Sequence, residues 1–113
     1  MGEMADTFGL VVRFTLKPGA AEPFDRLVRA TVDKIRANEP DTLIYACHTV
    51  PAEPQQRILY ELYRNRAAFD AHEQQPHVKA FLAEREQFVA NTEVDFLALA
   101  TAKGVYALQQ DAR

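Results

Sequence analysis

The chain has a single cysteine and no tryptophan among its 113 residues. One cysteine excludes an internal disulfide and any zinc site built from several thiolates. The four glycines are scattered and no G-x-G occurs, so the sequence has no glycine-rich phosphate loop and no flavin or nicotinamide fingerprint. We therefore expect neither a bound cofactor nor a metal, and any redox chemistry would have to come from the substrate itself.

Long apolar runs and basic clusters are also missing. No run approaches the ~18 residues that a membrane helix needs, and residues 1–7 lack the apolar core of a signal peptide. The net charge is −3 and the lysines and arginines are dispersed, which gives no reason to expect nucleic acid as a partner. The simplest expectation is a cytoplasmic protein without membrane or nucleic-acid partners.

The periodicity of the apolar residues predicts the order of secondary structure. Alternation with a period of two predicts strands, and apolar residues at i, i+3, i+4 and i+7 predict helices. Pro76 interrupts the second helical region, because proline lacks the N–H that a helix interior needs. The predicted strands cover residues 8–17, 42–50, 57–64 and 93–101, and the predicted helices cover residues 20–37 and, with a break at Pro76, 67 to about 90.

The order β-α-β-β-α-β is typical of an α+β, ferredoxin-like fold, in which a four-stranded antiparallel sheet carries helices on one face. At this length we expect one domain, covering residues 8–102. Residues 1–7 are predicted to be disordered, and residues 103–113 are predicted to form a tail able to pack on a partner subunit.

Both faces of the predicted sheet are apolar. In the second strand, Leu43, Tyr45 and Cys47 lie on one face, while Ile44 and Ala46 lie on the other. An antiparallel sheet with helices on one side usually has a polar second face, and soluble monomers rarely expose a large apolar one. We therefore predict a homodimer packed sheet against sheet. A monomer whose tail covers the sheet is the alternative.

Three ionisable side chains lie close together in the sequence. Glu61 interrupts an aromatic strand, and His72 and His77 flank the break in the second helical region. A zinc-binding H-E-x-x-H motif is excluded, because His72 and His77 are one residue too far apart to share a helix face. Each side chain also has an ordinary structural explanation: a rim carboxylate, a packing histidine and a polar residue in a first helical turn.

The stretch of residues 59–81 contains three short patterns in a fixed order. They are Tyr60-Glu61-x-Tyr63-Arg64, Ala68-Phe69-x-x-His72 and Pro76-His77-x-Lys79-x-Phe81. This stretch resembles the signature of the antibiotic biosynthesis monooxygenase family. The resemblance implies a dimeric α+β barrel. Several enzymes of that family oxidise electron-rich polycyclic phenols or quinols with O2 and no cofactor. The resemblance therefore also implies a small cofactor-independent monooxygenase that oxidises an aromatic, polyketide-like or quinol substrate.

In such an enzyme His72 is the candidate base or orienting group, and Glu61 and His77 are candidate catalytic groups of the same pocket. The base would remove a proton from a flat aromatic substrate, and the resulting electron-rich anion would react with O2 where water is excluded. The predicted substrate-binding walls are Tyr45, Tyr60, Tyr63, Phe69 and Phe81.

Other functions remain open. One branch of the family isomerises a small phosphorylated signalling metabolite, and it would need a cationic pocket wall, for which the candidates are Arg13, Arg57, Arg64 and Lys79. Haem degradation, the activity of another branch, is disfavoured because the chain has no tryptophan and has Leu82 where that branch has its axial histidine.

A non-enzymatic, dimeric αβ-barrel that binds a ligand or acts in a stress response is the third alternative. It predicts that Glu61, His72 and His77 point apart or are fully satisfied by internal partners. A dry cavity of ~300 Å3 or more beside His72 would count against it.

Overall fold

Residues 6–104 are described by a computed structural model, and they form the expected succession of strands and helices. The elements are β1 (Phe8–Leu16), α1 (Ala21–Asn38), β2 (Thr42–Thr49), β3 (Gln56–Tyr63), α2 (Arg66–Glu73), α3 (Pro76–Glu84), a 3-10 turn (Arg85–Gln87) and β4 (Val89–Leu97). The strands form one four-stranded antiparallel sheet in the order β2-β3-β1-β4. The ferredoxin-like α+β fold is therefore confirmed.

The break between α2 and α3 has local causes. Asn65 precedes α2, and its side chain accepts a hydrogen bond of 2.8 Å from the backbone N–H of Ala68, which caps the helix. Pro76 begins α3, where its missing N–H is not needed. His72 and His77 therefore belong to two separate helices. No helix within residues 6–104 is long and apolar enough to cross a membrane.

The hydrophobic core lies between the helices and one face of the sheet. Phe14 of β1 is fully buried, and its ring meets that of Phe24 of α1 edge to face at a centroid distance of 5.3 Å. Phe81 of α3 lies close to both rings, with centroid distances of 6.4 Å to Phe14 and 6.3 Å to Phe24. Because side chains alternate along a strand, Leu10 and Val12 point to this face with Phe14.

The last strand begins earlier than the sequence predicted. It spans Val89–Leu97 instead of 93–101, and the preceding helix ends at Glu84 instead of continuing to about residue 90. Pairing with β1 decides these limits, since Val89 lies opposite Leu16 and Leu97 lies opposite Gly9. One residue further, Ala98 reaches the level of Phe8, the first residue of β1, so residues 99–101 have no β1 partner, whatever their own β propensity.

The second face of the sheet has an apolar patch, as expected, but Arg13, His48, Glu93 and Asp95 also lie on this face. Val11, Ile44, Ala46 and Ile58 point to it and are half-buried. The segment 98–100 lines a hollow with Gly9, Tyr60 and Leu62 and so covers one corner of this face. The described helices all contribute to the core on the opposite side of the sheet.

The predicted terminal segments lie mostly outside the described residues, which exclude 1–5 and 105–113. Within the segment 1–7, Thr7 is buried next to the start of β1. This residue therefore packs with the folded domain, and the disorder predicted for the rest of the segment stays a prediction.

Phe14→Ala should destabilise the protein strongly, because it removes a buried ring and leaves a cavity between β1 and α1. Such truncations usually lower the free energy of unfolding by about 3–5 kcal/mol. Chemical denaturation followed by circular dichroism measures the change. Leu82→Ala is the control, since that side chain is 39% exposed and its loss should cost less than about 1 kcal/mol. Equal losses in the two variants would contradict a core centred on Phe14.

Candidate active site

A buried carboxylate at the end of α1 joins the two histidines. Glu39 follows the last residue of α1, and its backbone N–H still bonds to the carbonyl of Ile35 at 2.9 Å. Its Oε1 lies 2.6 Å from Nδ1 of His72, and its Oε2 lies 2.5 Å from Nε2 of His77. The hydroxyl of Thr42 donates to Oε1 at 2.7 Å. Residues from four elements or their ends therefore meet at one carboxylate.

His72 lies between that carboxylate and a second one. Its Nδ1 faces Glu39, and its Nε2 is 4.0 Å from Oε1 of Glu61, which is too far for a hydrogen bond. The imidazole is buried, and aromatic rings surround it: the centroids of Tyr63 and Tyr45 are 5.1 and 5.5 Å away. Nε2 is thus the nitrogen of His72 that is left for an external partner.

Glu61 is a buried acid in a largely apolar setting. Tyr63, two residues along β3 and so on the same face, donates its hydroxyl to Oε1 of Glu61 at 2.6 Å. Burial raises the pKa of Glu61 to about 7; the hydrogen bond from Tyr63 opposes this shift, and the charges of Glu73 and Glu39 add to it. A carboxyl with this pKa can hold or release a proton near neutral pH.

The tyrosines beside His72 stay protonated. Burial, followed by the charge of Glu61, raises the pKa of both Tyr45 and Tyr63 well above its ordinary value. The two hydroxyls are therefore hydrogen-bond donors and not bases, and their rings serve as walls.

A cavity of about 170 Å3 lies between the sheet and the helices, with Glu61 and His72 in its lining. This is less than the ~300 Å3 that would count against a non-enzymatic ligand-binding protein, so the cavity volume does not disfavour that alternative. The cavity reaches β4, where Val94 is 45% exposed and Phe96 is 63% exposed. The apolar surface that a ligand could contact therefore continues beyond the enclosed volume. The other principal lining residues are Leu10, Val12, Phe14, Tyr45, Leu59, Phe69, Val78, Phe81, Leu82 and Arg85.

The cavity brings together many of the residues singled out in the sequence. Glu61, His72, Tyr45, Phe69 and Phe81 line it, and Tyr63 joins it through its hydrogen bond to Glu61.

Two of the expected residues are placed elsewhere. His77 faces Glu39 behind His72 and is not in the lining. Tyr60 precedes Glu61 on β3 and therefore points to the opposite face of the sheet, where it lines the hollow with Gly9. The expectation that Tyr60 forms a wall of the same pocket is not met.

Glu39 was missed by sequence reasoning. The Asn-Glu-Pro run at residues 38–40 indicates the end of a helix, and an acidic residue there is usually solvated. The two histidines are 33 and 38 residues away along the chain, so no local pattern links them to Glu39. The available hint was weak: an acidic residue at the boundary between a helix and an apolar strand.

Other polar groups of the described chain offer no comparable site. Residues 6–104 contain no group of three or more His, Cys, Asp or Glu residues arranged to hold a metal ion. Cys47 faces a groove between α1 and β2, and burial raises the pKa of its thiol to about 11, so the reactive thiolate is rare near neutral pH.

A model of the family described as antibiotic biosynthesis monooxygenase matches residues 7–84. The chain belongs to the antibiotic biosynthesis monooxygenase family. A comparison with curated proteins gives no significant match.

Solved structures share the fold of this family member. PA3566 from Pseudomonas aeruginosa is 28% identical, with a TM-score of 0.78 over 87% of this chain and 98% of that chain. A Lactobacillus acidophilus protein is 26% identical, with a TM-score of 0.79 over 83% of this chain. The alignment covers 45% of that protein, so the chain spans less than half of its length. Rv0793 from Mycobacterium tuberculosis is 24% identical, with a TM-score of 0.79 over 87% of this chain and 99% of that chain.

The match to the antibiotic biosynthesis monooxygenase family covers the buried polar cluster but not the whole cavity. Glu39, Glu61 and His72 all lie within residues 7–84. Val94 and Phe96, which form the exposed side of the cavity, lie beyond the matched segment. The polar groups are thus part of the family domain, whereas the matched segment says nothing about the apolar opening at β4.

Glu61→Gln should change how stability depends on pH. The pKa of Glu61 is about 7 in the folded protein, and an unperturbed Glu has a pKa of about 4.3. Between these values the folded state holds a proton that the unfolded chain has released. The stability due to this group is therefore complete below about pH 4 and is lost as the pH rises through about 7.

Melting temperatures at about pH 5 and about pH 8 test this prediction. Glu61→Gln, which cannot ionise, should gain stability relative to the wild type on going to the higher pH. Glu53→Gln changes an exposed carboxylate and should show no such gain. The same difference between Glu61→Gln and wild type at both pH values would mean that Glu61 titrates normally.

Proposed function

We propose that the protein is a cofactor-independent monooxygenase that oxidises an electron-rich aromatic substrate, a polyketide-like phenol or a quinol, with O2. The observation that carries this proposal is the pairing of His72 and Glu61 at one apolar, aromatic cavity. Membership of the antibiotic biosynthesis monooxygenase family supports it. The similar Lactobacillus acidophilus protein is provisionally described as a monooxygenase.

The chemistry needs few protein groups. His72 would accept a proton from the bound substrate at Nε2, and the substrate anion would then donate electrons to O2. One oxygen atom enters the substrate, which becomes a ketone or quinone, and the other leaves as water, so the substrate supplies all the electrons. The apolar walls would limit access of water to the anion. Glu61, held by Tyr63, would return a proton to the departing oxygen.

The charged residues near the cavity favour an aromatic substrate over a phosphorylated one. None of Arg13, Arg57, Arg64 and Lys79 lines the cavity. Arg57 makes two hydrogen bonds to the carboxylate of Asp25, at 2.9 and 3.0 Å, and is committed there.

Other cationic side chains either pair with groups outside the cavity or stack on an aromatic ring. Arg64 pairs with Asp41 at 2.9 Å, and Arg13 donates to Gln56 at 3.2 Å from the other face of the sheet. Arg85 does reach the cavity, but its guanidinium lies over the Phe14 ring at 5.4 Å. The cationic wall required for the isomerase alternative is therefore not assembled.

Oxygen uptake by the metal-stripped protein tests the proposed reaction. With a panel of anthrones and hydroquinones, the wild type should consume O2 faster than the reaction without enzyme. His72→Ala should lower the rate by about 10²–10⁴-fold, because it removes the base. His48→Ala is the matched control: His48 is exposed on β2 and does not line the cavity, so its loss should leave the rate unchanged.

The possible results separate the alternatives. Undiminished turnover by His72→Ala would remove His72 from the reaction. No uptake with any member of the panel would remove the oxygenase assignment for these substrates. It would favour the isomerase and ligand-binding alternatives. Thermal-shift screening of small ligands would then separate these two.

We also propose that two copies pack sheet against sheet. Val11, Ile44 and Ile58 lie on the apolar second face, and burying one large apolar side chain stabilises by roughly 1.5–3 kcal/mol. A second copy presents the same face and so is a self-complementary partner.

Sedimentation at micromolar concentration should show a dimer for the wild type. Val11→Asp places a second negative charge on the proposed interface, beside Asp95, which lies opposite Val11 on β4. It should give a monomer, because burying two like charges without a partner is unfavourable. Leu82→Asp, on the helical side of the molecule, should remain dimeric. A monomeric wild type would rule out the interface.

A further inference from the structure

We propose that Glu39 is a positioning residue for His72, and that His77 acts on Glu39 and not on the substrate. In this arrangement Glu39 holds the hydrogen of the His72 ring on Nδ1, which leaves Nε2 as the proton acceptor on the cavity side. The inference rests on the proposed function for its effect on catalysis, but the tautomer itself can be measured without any substrate.

The tautomer follows from the chemistry of the two groups. An ionised carboxylate has no hydrogen to donate and only accepts, so with Glu39 in that form the contact of 2.6 Å between its Oε1 and Nδ1 of His72 places the hydrogen on Nδ1. A neutral imidazole then has its lone pair on Nε2. Nε2 is the atom nearest to Glu61, at 4.0 Å, and both residues line the cavity.

Glu39 is itself held in place from several directions. Thr42 and His72 bond to Oε1, and His77 bonds to Oε2. Charge-assisted hydrogen bonds of this kind offset the unfavourable burial of a carboxylate. Because both oxygens are occupied, the carboxylate cannot rotate without losing a bond. His77 contacts Glu39 and does not line the cavity, so its effect on the site passes through Glu39.

The same contact would matter during proton transfer. When Nε2 takes up a proton, His72 becomes a cation, and the adjacent Glu39 charge stabilises it. The other ionisable groups that face this ring or its cavity come from different elements: Glu61 and Tyr63 on β3, Tyr45 on β2, Glu73 on α2 and Arg85 in the 3-10 turn. None of these other groups in the described chain lies within hydrogen-bonding distance of Nδ1 of His72, whereas Glu39 does.

Nitrogen NMR of the histidine rings tests the arrangement directly. The sequence contains three histidines, so their signals can be separated by single substitutions. In the wild type we expect the hydrogen on Nδ1 of His72 and on Nε2 of His77. Hydrogen on Nε2 of neutral His72 would overturn the proposal, and once the signals are assigned this result is read from the wild-type protein.

Glu39→Gln provides the matched comparison. The amide keeps the size of the side chain but offers one acceptor and one donor, so it cannot accept from both histidines. At least one of His72 and His77 should change tautomer, while His48, whose Nδ1 lies 3.2 Å from the carbonyl of Ile58, should not change. Unchanged tautomers at both His72 and His77 would contradict the role of Glu39.

Kinetics then separate positioning from direct catalysis. Glu39→Gln should lower kcat by about tenfold or more and leave KM within about twofold, because the substrate does not touch Glu39. His77→Gln keeps an N–H donor for Glu39 and should retain most of the activity that His77→Ala loses. A loss in His77→Gln as large as that in His72→Ala would show that His77 acts directly and would overturn its assignment.

The two measurements fail independently. The expected tautomers without O2 uptake would support the positioning of His72 while removing the oxygenase assignment. O2 uptake with the opposite tautomer of His72 would support the oxygenase and remove the role proposed for Glu39.

Discussion

The hydrogen bonds to one buried carboxylate organise the candidate site. They join Glu39 to Thr42 at the start of β2, to His72 of α2 and to His77 of α3. A buried charge is strongly unfavourable without such partners, and removing a partner leaves that burial uncompensated. The end of α1, the first residue of β2 and both short helices must therefore keep their relative positions. The geometry around His72 is in this sense a property of the packing of the whole helical layer.

Two carboxylates flank His72 in unlike surroundings. Glu39 has three donors, whereas Glu61 has the hydroxyl of Tyr63 and otherwise mostly apolar neighbours, so burial raises its pKa to about 7. Pairs of ionisable groups with unequal environments are how a protein separates the group that gives a proton from the group that takes one. The break at Pro76 contributes, because it lets His77 approach Glu39 from a second helix while His72 faces the cavity from the first.

The two faces of the sheet carry the candidate site and the proposed interface, respectively. β3 turns Glu61 and Tyr63 toward the cavity, and it turns Ile58 and Tyr60 toward the face that we propose joins two copies. A shift of one residue in the pairing of this strand would exchange the two sets. The site and the proposed dimer therefore depend on the same register between β1 and β3.

The sequence by itself determined the order of the elements, the break at Pro76 and the nearness of Glu61 to His72, because periodicity, proline and short spacing act locally. Tertiary structure decided the rest. Pairing with β1 makes the last strand begin at Val89, and not at residue 93 as the sequence predicted. Strand alternation placed Tyr60 away from the cavity. The role of Glu39 depended on its contacts with His72 and His77, which lie 33 and 38 positions further along the chain. Such contacts follow from how whole elements bury their surfaces, which no local pattern records.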